Sequence, residues 1–199
     1  MERLIAFHGD QNVKDAYLQR IWMHVEADEL VQGIGWENGK GCGIGCTLDA
    51  YDHSRYPIEL GIPEVLAYLE DRLFELQTTA DAKLWPERFL DAIPVGADLS
   101  GVWPKWAVWM LTDPEHGVLR HAGDRQDVRD VILRVAALYE NGGTMEEFLA
   151  AAAAAWTGAA WAAAAAPEAA RAAWAAAAAG SAAWRSAEAH LRAEGPASA

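Results

Sequence analysis

Apolar positions along most of the chain recur at spacings of three and four, the period of a helix with one buried face. Val13, Tyr17, Ile21, His24, Asp28 and Val31 form the first such stripe. Asp10 or Asn12 supplies its N-cap, and the helix is predicted to end near Gly33. Pro63 suits the first turn of another helix, with Val65, Leu66, Leu69, Leu73 and Leu76 on its inner face. A short helix is expected over residues 86–93, through Phe89, Leu90 and Ile93. Trp103, Trp106, Trp109 and Met110 follow at helical spacing, and Asp124 caps a helix carrying Val128, Val131, Ile132, Val135 and Leu138. Period-two alternation never persists beyond a few residues, so the pattern predicts an all-α fold.

The pattern changes at Thr144, which with Glu147 has the spacing of a capping box. Beyond it the chain is mostly alanine to about residue 193, divided into about three helices by Pro167 and by Gly180-Ser181. Alanine favours helix but buries little area, so these helices cannot build a core by bulk. Trp156, Trp161, Trp174 and Trp184 are the expected anchors between them. Two regions are therefore predicted: a helical domain over residues 1–143, and an alanine/tryptophan-rich helical bundle over residues 144–199. The bundle braces the first domain or forms a homo-oligomer through its helices.

Charge narrows the partners. The chain has 199 residues, a net charge of −13 and a pI near 4.8. That balance repels nucleic-acid backbones and anionic membrane surfaces, while leaving room for a basic pocket and a small phosphorylated ligand. No apolar run reaches the ~20 residues of a membrane span. The opening MERLIAFHGD has too short an apolar stretch for a signal peptide, so a cytoplasmic protein is expected. Cys42 and Cys46 are too few for a disulfide scaffold and are expected to be free thiols.

Candidate chemistry concentrates in GWENGKGCGIGCT, residues 35–47, which holds five glycines. Ordering so many glycines is entropically costly, so a loop that turns sharply or approaches something closely is predicted. Neither standard phosphate motif is present. Gly39-Lys40 has Ile34 where a Walker A loop needs its first glycine, and Gly41 where it needs Ser or Thr. Gly41 and Gly43 are followed by Cys46 where the dinucleotide fingerprint needs a third glycine. The underlying physics still applies. Amides of Gly41, Gly43 and Gly45 could converge on an anion, with Lys40 adding a full charge and Thr47 capping a following helix. Trp36 could stack on a base or sugar, while Glu37 and Asn38 meet hydroxyls or amide edges. The opposing reading is a glycine-rich connection that simply packs closely.

His24 and Asp28 lie four apart on the inner stripe, so Asp28 could orient His24, either structurally or toward the loop. His8, beside a Gly-Asp turn, could join them. With His24 as base, Cys42 or Cys46 would resemble a thiol nucleophile. A metal site from Cys42, Cys46, His24 and His8 or His53 has an allowed cysteine spacing but no second tight ligand pair, so neither zinc nor any cofactor is implied. His116, His121 and His190 read as surface residues, and TDPEH at 112–116 as a turn or helix start.

The run WENGKGCGIGCT, followed by ELGIP, LEDRLFE and WPERFLDAIP and then an alanine-rich tail, resembles an uncharacterised family of bacterial and phage genomes. The resemblance covers most of residues 7–98 and implies a shared fold without supplying an activity. Its phage setting suggests proteins that bind host immune signalling nucleotides and withhold them. The expected function is thus non-catalytic binding of a small anionic, nucleotide-derived ligand by His8, His24, Asp28, Trp36, Glu37, Asn38, Lys40, Gly41, Cys42, Gly43, Gly45, Cys46 and Thr47. The alternatives are a cysteine-dependent enzyme using Cys42, Cys46 and His24, and a helical protein–protein interaction module.

Overall fold

A computed structural model describes residues 3–162, 171–173 and 175–180, with side chains for all of these except 158–162. The fold is all-α. Among the described residues the only strands are a two-residue pair. The chain divides into two compact units, Met1–Ser100 and Gly101–Ala199, so the change of composition at Thr144 lies inside the second unit.

The first unit closes on its own ends. Leu99 N–H donates to Leu4 O at 2.9 Å and Ala6 N–H to Ala97 O at 2.8 Å, holding the N-terminal segment against residues 96–99. A 3₁₀ turn at Ala6–Gly9 follows, with Phe7 and His8 both at φ +53° and Phe7 fully buried. Non-glycine residues enter this left-handed region only at a cost, here offset by burying the Phe7 ring.

Helix α1 spans Gln11–Glu26, and Asp10 caps it by accepting from Asn12 N–H at 2.8 Å. It stops well before Gly33, because Asp28 adopts the left-handed conformation (φ +57°) that glycine usually supplies at a helix end. The stripe therefore breaks after His24, and Asp28 points to solvent.

The glycine-rich run is a hairpin and a helix, not a loop. Strands β1 (Trp36–Glu37) and β2 (Lys40–Gly41) pair Trp36 with Gly41 and Glu37 with Lys40. Asn38 at φ +52° and Gly39 at φ +80° form the connecting turn, where Asn-Gly is the favoured pair. Helix α2 (Gly43–Leu48) follows with all six residues buried. Thr47 lies inside it rather than capping a later helix, and its hydroxyl donates to Gly43 O at 2.8 Å.

Helix α3 (Arg55–Leu60) leads to α4 (Glu64–Leu76), then the short α5 (Thr79–Ala82) and α6 (Trp85–Asp91). On α4 the buried positions are Glu64, Val65, Leu66, Ala67, Glu70 and Phe74, whereas Leu76 is 66 % exposed. The inner face is thus rotated from the leucine stripe and carries Glu70 into the core.

In the second unit, α7 (Val102–Thr112) and α8 (Gln126–Asn141) pack together, and α8 packs on α9 (Met145–Ala162). Leu111, Val128, Ile132 and Val135 meet small residues, Ala151, Ala155, Ala172, Ala173, Ala176 and Ala177, in one buried cluster. Trp156 is 54 % exposed and lies outside this cluster among the described residues. Close approach of alanine surfaces replaces bulk: a β-carbon on Gly180 would already lie 3.1 Å from Ala152 Cβ. The side chains of Trp161, Trp174 and Trp184, and the break at Pro167, lie outside the described residues, as does His190.

Candidate functional site

The segment 35–47 separates its expected ligand residues into three groups, all within the first unit. The first is a packing core. Gly41 N–H donates to Glu29 O at 3.0 Å, and Gly41 O accepts from Val31 N–H at 2.8 Å, so this glycine bridges the hairpin and residues 29–31. A β-carbon on Gly41 or Gly45 would lie 2.3 or 2.0 Å from Gly35 O, and one on Gly43 would lie 3.1 Å from Pro86. Trp36 covers the same glycines and meets the His24 ring edge-on at 5.5 Å. The glycines at 41 and 45 are thus explained by close backbone packing, and their surroundings leave no exposed nest of amides.

His24 does not pair with Asp28. Its Nδ1 lies 2.6 Å from Glu29 and its Nε2 3.1 Å from Asp49, and Arg20 reaches Asp49 at 3.3 Å. Asp28 sits past the end of α1 instead, where its exposed carboxylate meets Lys83. The Lys83 hydrogen bond and charge hold Asp28 below the usual carboxylate range, and Lys40 adds to this through space. His8 is exposed on its turn beside Gly61 and joins none of these groups.

The second group is a cleft of about 390 Å³ that joins the hairpin to α4 and α5. Lys40, Lys83 and Asp28 line it, with the Lys83 ammonium paired to the Asp28 carboxylate. Leu30, Val31, Phe74 and Ala82 supply an apolar floor. Gln32 and Thr79 complete it, with the Gln32 amide spent on Phe74 O and Gln77 O at 3.0 Å each. Lys40 lines this cleft from strand β2. Glu37, its cross-strand partner, and Asn38 are exposed on the hairpin.

The third group surrounds Cys42. Asp71, on α4, accepts from Tyr51 Oη at 2.9 Å, faces His53 Nε2 at 3.1 Å and accepts from the Cys42 thiol. His53 stacks on Tyr68, ring centroids 4.1 Å apart. Burial pushes Asp71 up, but the hydrogen bonds from His53, Cys42 and Tyr51 outweigh it and hold the carboxyl low. The Cys42 thiol is pushed well above its ordinary range by burial, with Asp71 adding to the rise and amides of Gly45 and Ile44 opposing it. Burial likewise pushes Cys46 up to about 12, and its sulfur faces Gly41 O at 3.5 Å and Glu29 O at 3.7 Å. Neither thiol is set up as a thiolate, and the two diverge rather than share a site with His24.

Beneath this cluster Glu70 is fully buried. Its Oε2 accepts from Tyr56 Oη at 2.6 Å, while Oε1 has no partner. Burial drives its pKa up to about 8 against the Tyr56 hydrogen bond, with Asp71 adding to the rise.

Tyr51, Asp71, Lys83 and Glu70 were not among the residues expected from sequence. A helix with Leu69 and Leu73 on its inner face leaves Glu70 and Asp71 off that face, and only the rotation of α4 turns them inward. No family model matches the chain, and no curated protein or solved structure is significantly similar to it.

Proposed function

We propose that this protein binds a small organic anion in the Lys40–Lys83 cleft and holds it without chemical change. The observation that carries this reading is the convergence of two lysines on one cleft of a chain with net charge −13. Ammonium groups at the rim favour a phosphate or carboxylate, and the Leu30–Val31–Phe74 floor favours an organic moiety over a bare inorganic ion. A nucleotide-derived molecule combines both. The cleft lining among the described residues includes no thiol or imidazole, which fits retention better than turnover. Trp36 is committed to the glycines beneath it, so an aromatic stack from that residue forms no part of this reading. Withholding a signalling nucleotide, in the phage setting that the sequence resemblance suggests, is the role we attach to such binding.

Native mass spectrometry of protein purified gently from cells, compared with its denatured mass, tests the idea directly. A small organic mass retained by the wild type and lost from Lys40→Ala is the expected result. Should the wild type carry no such mass, titration with pyrophosphate and with nucleoside mono- and triphosphates decides. Binding that Lys40→Ala weakens at least tenfold supports the cleft; no binding, or binding indifferent to Lys40, overturns it.

A further inference from the structure

We infer that Cys42, Asp71 and Glu75 form a binding site for a divalent transition metal of the zinc type. The thiol sulfur and one oxygen from each carboxylate all lie within 4.8 Å of one another. Around a tetrahedral ion with bonds of about 2.0–2.3 Å, neighbouring ligand atoms stand roughly 3.3–3.8 Å apart. Closing the set therefore takes a contraction of about 1 Å, within reach of side-chain rotation. Asp71 and Glu75 are four apart on α4 and so project from one face of a single helix. Cys42 is fixed from the other side, as the residue that opens α2. Three donors thus come from two ordered elements, as a site of defined geometry requires.

The donor types favour this class of ion. A thiolate with carboxylates suits a borderline-soft cation, whereas calcium and magnesium take oxygen sets. The surrounding contacts match those that orient metal ligands elsewhere. Tyr51 Oη and His53 Nε2 hold Asp71, and Gly33 N–H holds Glu75 at 2.9 and 3.1 Å to its two oxygens. The His53 ring is itself nearly fully buried and locked by its stack on Tyr68, so it acts on the site through Asp71. On binding, the Cys42 S–H bond breaks, its sulfur forms the metal bond, and the proton passes to solvent. A water completes the coordination. The site shares no residue with the Lys40–Lys83 cleft and stands apart from the proposal made for it.

Cobalt(II) titration of the full chain, purified with chelator and then freed of it, tests the inference by absorption. The expected result is a thiolate-to-cobalt charge-transfer band saturating at one ion per chain and bleached by zinc. Cys42→Ser should abolish the band. Because Cys42 is buried and its variant could fail to fold, Asp71→Asn and Glu75→Gln provide the second arm; each should weaken binding tenfold or more while far-UV circular dichroism stays unchanged. Absence of the band, or affinity unchanged in both folded carboxylate variants, overturns the assignment.

Discussion

Gly45 passes directly beneath Gly35, so closely that a β-carbon on Gly45 would stand 2.0 Å from the Gly35 carbonyl oxygen. Both partners are backbone, one in a buried helix and the other entering a hairpin, so neither can swing aside as a side chain would. Gly45→Ala is expected to cost about 3 kcal/mol or more, or to prevent folding. Gly39→Ala is the informative control: it meets open space and suffers only from φ +80°, a cost of about 1–2 kcal/mol. Urea unfolding of the two variants side by side measures the difference. Equal losses would mean that close packing is not what demands glycine at position 45.

Asp28 competes with any anion for Lys83, since the two side chains are already paired at the mouth of the cleft. Neutralising it by Asp28→Asn removes the competitor and raises the local potential. Affinity for pyrophosphate or a nucleotide is therefore expected to increase severalfold, the reverse of the Lys40→Ala effect. Calorimetric titration at low ionic strength, where exposed charges are least screened, gives the clearest comparison. Weaker binding by Asp28→Asn would place the carboxylate in the ligand's own contacts instead.

Cys42 and Cys46 should behave as inert core thiols in the metal-free native protein. Both are buried, and burial pushes both away from the thiolate form. Alkylation by iodoacetamide at neutral pH is expected to be slower than for a free cysteine by roughly a hundredfold or more, and to become fast in urea. Mass spectrometry of the modified chain reads both sites at once. Rapid native labelling of either cysteine would return a thiol-based activity to consideration.

How much of this was legible depended on whether the signal was local. The Asp10 cap and the Thr144–Glu147 capping box were readable, because each rests on hydrogen bonds spanning two or three residues; Thr144 N–H donates to Glu147 at 2.8 Å as that spacing requires. The all-α class was readable from periodicity. What could not be read was non-local. The same glycines that suit a phosphate nest also suit backbone passing under backbone, and only the position of Gly35 decides between them. Asp28 ended α1 in a conformation that glycine more often adopts, so no residue type announced the break. The α4 leucines implied an inner face that the observed packing rotates, hiding Glu70 and Asp71 among residues that read as solvent-facing. Lys83, far along the chain from Lys40, had no pattern to link it to the hairpin.

Glu70 makes folding stability depend on pH in a definite direction. Its carboxyl is completely buried and its pKa rises to about 8, from an ordinary value of 4.5. Below about pH 4.5 it is protonated in both folded and unfolded chains and adds no pH dependence. Between that pH and about 8 the unfolded chain releases the proton while the folded chain keeps it, so stability falls as pH rises, by up to about 1.4 kcal/mol per unit. Glu70→Gln keeps the shape and a hydrogen-bonding group for Tyr56 but cannot ionise. The variant should therefore gain on the wild type steadily from pH 5 to pH 7.5, in chelator so that no metal contributes. Urea unfolding at several pH values gives the difference, in which titrating groups that do not interact with Glu70 cancel. A stability difference that stays constant across this window would show that Glu70 ionises in the folded protein much as it does in the unfolded chain.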